Sequence, residues 1–150
     1  MEIQDQRLVD AMWCAADLTG AYLAGDRQGV VTCTAGVDAD GLDHLLAWLI
    51  MDHDMIFDDL GEPAMGLPAI DALAALAPAE LEFAATTALR RVARRETGLT
   101  DAVAALARPE QIHTIAVCTA VMLLEAYGRP GALNHLAELT SRYPGRDSLG

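Results

Sequence analysis

The side chains able to do acid–base or metal chemistry are few: His44, His53, His113 and His135, the cysteines Cys14, Cys33 and Cys118, and an excess of carboxylates. His53 is followed directly by Asp54, and His44 lies nine residues upstream. Imidazole and carboxylate are the ordinary protein ligands of divalent transition metals, so His44, His53 and Asp54 form one candidate metal set. Glu110 and His113 form a second, three residues apart. Bundle enzymes present a carboxylate and an imidazole to a di-iron centre at that spacing, but from two such pairs plus two further carboxylates. Here His135 and Glu138 stand three apart in the reverse order, so the second pair is missing. Cys118 lies five residues beyond His113. That is about 500° of helix, on a different face, and does not make a thiol–imidazole couple.

The His53–Asp54 doublet resembles that of the His-Asp metal phosphohydrolases, all-α enzymes whose motif is a histidine, a His-Asp pair and a distant aspartate. The resemblance implies an α-helical, metal-dependent hydrolase centred on His53–Asp54. The chain departs from that pattern in one respect. Nine residues turn a helix through about 900°, half a turn out of phase, so His44 and His53 on one helix cannot share an ion. Leu42, Leu45, Leu46, Leu49, His53, Ile56 and Leu60 also fall on one apolar stripe, which makes His53 a core histidine. Glu110, at a helix start, is already accounted for as a dipole partner. No metal or cofactor is therefore expected, and the enzyme reading stands second.

Charge gives the first reading. The chain has 22 acids against 10 basic residues, all of them arginine, for a net charge of −12. Eight of the acids (Asp38, Asp40, Asp43, Asp52, Asp54, Asp58, Asp59 and Glu62) fall within 25 residues that contain no base. Asp38 and Asp40 suit a helix start, but Asp58, Asp59 and Glu62 fall at a helix end, where the dipole disfavours negative charge. Something positive is expected to face them. Arg90, Arg91, Arg94 and Arg95 are the one dense basic patch, suited to the last turns of their own helix and available to meet an anion or an acidic surface. The two patches predict a contact within the chain or across a two-fold homodimer. A chain this acidic is ill suited to nucleic acid, where affinity comes from basic side chains displacing counterions.

These residues must be positioned by helices. Alanine (28) and leucine (21) make up almost a third of the 150 residues, while the aromatics total seven. Such side chains lose little rotamer freedom in a helix. Helical periodicity covers Ile3–Ala24, stopped by Gly25, and Asp26 is placed to cap the next element. The β-branched run within 27–35 reads as strand or short helix; a lone strand would have no partner, so a helix is expected. Asp38 or Asp40 caps a helix reaching Leu60, and residues 61–68 form a loop. Pro68 opens a helix to Ala77, Pro78 one ending at Gly98, and Thr100 caps a brief helix stopped before Pro109. The stretch from Glu110 to Tyr127, apolar on nearly every side, is expected at the bundle centre; a last helix covers Pro130–Tyr143, and residues 144–150 read as a flexible tail. The turn around Gly20–Asp26 is similar to that of tetratricopeptide hairpins, without their 34-residue recurrence. Met51, Met55 and Met65 near Trp48 read as core filling, with an adaptable apolar patch as the alternative.

The expectation is thus one all-α domain, 1–150, a bundle of six to eight helices around residues 110–127. Widely spaced cysteines without a CxxC pair fit a reducing compartment. The N-terminus lacks a basic stretch followed by an apolar run, and the longest apolar stretch, Thr114–Leu124, falls short of the ~20 residues of a membrane span. A cytoplasmic location away from membranes is expected on those grounds. The function expected first is a regulatory interaction module of the antitoxin, immunity or sequestering type. Its acidic patch (Asp52, Asp54, Asp58, Asp59, Glu62) would dock a basic protein partner, with Arg90, Arg91, Arg94 and Arg95 as a second, partner- or anion-binding patch.

Overall fold

The computed structural model describes the backbone of residues 2–145 and the side chains from residue 6 onward. Seven α-helices succeed one another: α1 (Glu2–Ala24), α2 (Arg27–Thr34), α3 (Ala39–Asp59), α4 (Leu67–Ala74), α5 (Ala79–Ala93), α6 (Leu99–Ala104) and α7 (Arg108–Thr140). No strand occurs among the described residues, and the fold is the all-α bundle that the composition predicts.

Local chemistry sets the helix starts. Asp26 caps α2 by accepting the Gly29 amide at 2.9 Å, and Asp38 caps α3 by accepting that of Gly41 at 2.8 Å. Pro68 and Pro109 sit in the first turns of α4 and α7, where no amide is missed. Glu110 folds back to accept the Ala107 amide at 2.9 Å, so its carboxylate serves its own helix start.

Two boundaries differ from expectation. Helix α6 begins after Gly98 without a side-chain cap, and Thr100 lies inside its first turn. Helix α5 stops at Ala93 rather than running to Gly98, because Arg95 takes the left-handed conformation (φ 60°) that usually belongs to a terminal glycine. The amide of Glu96 then bonds the Arg91 carbonyl and that of Arg95 the Val92 carbonyl, closing the helix.

Helix α7 is the axis. Every residue from Ile112 to Leu123 is buried, and α1, α3, α4, α5 and α6 all pack against it. Leu18, Tyr22 and Leu23 of α1, Leu45 and Leu49 of α3, Ile70 of α4 and Leu89 of α5 complete one continuous core. Gly128 (φ 73°, ψ 170°) breaks α7, and Pro130 restarts it. The returning segment lies along α1, where Leu136 comes so near Gly20 that a Cβ there would stand 3.3 Å from it. Of the expected flexible tail, residues 146–150 lie outside the described residues, and Pro144 is tied back by the Trp13 indole, which donates to its carbonyl at 2.7 Å. Among the described residues no helix is long and apolar enough to cross a membrane.

Candidate functional site

The sequence candidates are concentrated on α3, and the helix sorts them by face. Leu45, Leu46, Leu49, His53 and Ile56 turn inward. His53 is 7 % exposed, stacks on Phe57 at 5.6 Å between ring centres, and bonds through Nδ1 to the Asp54 carboxylate at 3.0 Å. His44 does not join it, and its own Nδ1 is buried without a hydrogen-bond partner. His113 is elsewhere again, at the core, sharing a 2.7 Å hydrogen bond with the fully buried Tyr22 hydroxyl. Burial holds its imidazole down to about 4, hence neutral. Among the described residues no three His, Cys, Asp or Glu side chains gather closely enough to hold an ion, so His44, His53, Asp54, Glu110 and His113 stay dispersed. Cys118 is buried against the Met65 sulfur at 3.5 Å, and burial pushes its thiol up to about 12, which leaves it without thiolate character.

The outward face of α3 is a different surface. Asp43, Ala47, Ile50, Met51, Asp54, Met55 and Asp58 are exposed at helical spacing, with Asp59 and Glu62 beyond them. Ile50, Met51 and Met55 are 40 %, 56 % and 40 % exposed, so Met51 and Met55 fill no core; of the three methionines near Trp48 only Met65 packs against it. Acids at the start of α3 are matched: Arg7 pairs with Asp38 at 2.8 Å and Asp40 at 3.7 Å, and Arg108 with Asp43 at 3.0 Å. The later ones are not. Asp58, Asp59 and Glu62 make no ion pair among the described residues, and Asp54 pairs only with His53. Asp52, expected among them, lies on the opposite side of the helix, half-buried beside Tyr143. Burial pushes its carboxyl up to about 6, although the Tyr143 hydrogen bond acts the other way. It is no part of the exposed stripe.

Nor do the arginines meet those acids within the chain. Arg90 forms a two-pronged pair with Asp71 of α4, its Nε 2.9 Å from Oδ1, and this holds the Asp71 carboxyl below its ordinary range. Arg91, Arg94 and Arg95 are exposed and without ion pairs among the described residues.

Sequence reasoning gave no sign of the third feature, a partly open cleft of about 660 Å³ between α3, the loop after it, α5, α6 and α7. His53, Asp54 and Phe57 line one side, Val92, Leu99 and Val103 the other, and Ile115, Cys118 and Met122 come from α7. Glu62 and Arg95 also border it. Gly61 (φ 71°) ends α3, and Glu62 (φ 55°) then turns the chain toward Pro63–Met65 along the cleft. The only trace in the sequence is Gly61 itself, since the walls come from segments far apart along the chain. No protein family, curated protein or solved structure matches this chain.

Proposed function

We propose that the chain is a helical interaction module that docks a basic, amphipathic segment of a protein partner on the outer face of α3. The observation that carries this is the exposed apolar strip Ile50, Met51 and Met55, set among Asp54, Asp58, Asp59 and Glu62 that have no cation of their own. Apolar centre and charged rim are the usual anatomy of a docking surface, and methionine repacks easily around a partner. Asp58 and Asp59 stand where the α3 dipole repels them, so a basic partner relieves an unfavourable field as well as forming pairs. Complementary charge would also speed encounter and select against acidic proteins. A sequestering or regulatory role fits such a surface better than hydrolysis, because the ligands of the enzyme reading stay dispersed.

The test is titration with a synthetic amphipathic helix whose polar face is lysine and arginine, against a control of the same apolar face with a glutamate polar face. Anisotropy should show binding of the basic peptide alone, weakening as salt rises. Changing Met51→Ser with Met55→Ser, or Asp58→Asn with Asp59→Asn, should each weaken it roughly tenfold, about 1.4 kcal/mol. Equal binding of both peptides, or indifference to either pair of substitutions, overturns the reading.

A further inference from the structure

The cleft beside α3 is unused by the docking proposal and does not depend on it. We propose that it binds a small, mostly hydrocarbon molecule carrying a protonated amine, whose head group is received by His53, Asp54 and Glu62. Its volume of about 660 Å³ lies within the roughly 300–1,000 Å³ of small-molecule sites. Such sites combine apolar walls with a few convergent polar groups, and this one does the same.

His53 supplies the first polar group. Its side chain is 91 % buried, it lines the cleft, and its Nδ1 is committed to the Asp54 carboxylate. A carboxylate can only accept, so Nδ1 carries the proton and Nε2 keeps a lone pair. Nε2 forms no protein hydrogen bond among the described residues. The cleft therefore offers a buried acceptor that calls for a donor, and an ammonium N–H is one.

Charge selects among donors. Asp54 and Glu62 border the cleft, and α3 and α5 both end there with their carbonyls, which favour positive charge. Against them stand Arg95 and the start of the six-residue α6. Arg95 comes directly after the end of α5, whose carbonyls its guanidinium offsets. Glu62 and Arg95 are also the only non-glycine residues with positive φ among the described residues (55° and 60°), and both border this cleft. Met65 and Met122 give the apolar end an adaptable wall, suited to an alkyl or aryl body.

The experiment is calorimetric titration of the whole chain with octylamine, 1-octanol and octanoate at neutral pH, below any micelle concentration. Octylamine should bind most tightly. Asp54→Asn with Glu62→Gln, both exposed and free of folding cost, should weaken octylamine roughly tenfold and leave octanol unchanged. His53→Leu should weaken both, and its thermal melt reports whether the fold survives. Ala64→Trp, on the exposed loop, should abolish binding of all three. Octanoate binding more tightly than octylamine overturns the proposal. So does octylamine affinity indifferent to the paired carboxylate change or to Ala64→Trp, or no heat from any probe.

Discussion

Asp52 and His113 are ionisable groups whose charged forms the fold disfavours, and they pull stability in opposite directions with pH. Burial takes Asp52 from 3.8 to about 6, so the folded chain holds this proton more tightly than the unfolded one. Its contribution is fully present below about pH 4 and is lost as pH rises through 6. Replacing Asp52→Asn, which still accepts from Tyr143, should raise stability at pH 7 by on the order of 1–2 kcal/mol and change little at pH 4. Urea unfolding at the two pH values measures this, and an equal effect at both would refute it. His113 goes the other way: its depressed value means that stability is lost as pH falls from 6.5 towards 4. Removing its partner by Tyr22→Phe leaves Nδ1 buried and unpaired, at a cost of about 1–3 kcal/mol. The double variant with His113→Leu should recover much of that loss, because neither orphan remains. Simple additivity of the two losses would show that the hydrogen bond is not what holds the pair.

At the scale of the helices, the chain ends its elements in two ways, and only one can be read from sequence. Proline starts and glycine stops announce α1, α4 and α7, and the break at Gly128 falls where the residues expect it. Gly128→Ala meets no neighbour within 4 Å, so its cost is conformational alone. With φ 73° and ψ 170° the position lies in a region essentially reserved for glycine, and the loss should be about 1–3 kcal/mol by thermal or denaturant unfolding. Arg95 ends α5 against its own preference, which is why the sequence points too far along the chain, to Gly98. Arg95→Gly should therefore stabilise the fold by roughly 0.5–1 kcal/mol; destabilisation would mean that the guanidinium contributes more than the strained backbone costs. Periodicity placed His53 inside and the α3 acids at a helix end, since both rest on 3.6 residues per turn. It could not place Asp52 beside Tyr143, pair Arg90 with Asp71, or assemble a cleft. Those depend on which helices become neighbours, and every helix here is compatible with several.

For the molecule as a whole, a net charge of −12 keeps copies apart unless complementary patches meet. Unpaired acids on α3 and the exposed Arg91, Arg94 and Arg95 are such patches. If the acids serve a foreign basic partner, light scattering should give the 15.9 kDa of a single chain at every salt concentration. A dimer that weakens with salt, and that Arg91, Arg94 and Arg95→Gln together abolish, would reassign those acids to a second copy. The central position of α7 has a further consequence, for how the protein is made. Its core-forming residues are the 112–123 run, and almost every other helix rests on it. While a ribosome adds residues at about 5–20 per second, the first hundred emerge before the axis they are to pack on exists. Leu18, Tyr22, Leu45 and Leu49 then wait for several seconds as exposed greasy surface on a growing chain. Such a nascent chain is a natural client for chaperones that shield apolar segments, and a transcript cut short before the codon for Ile112 would encode helices with nothing to close around.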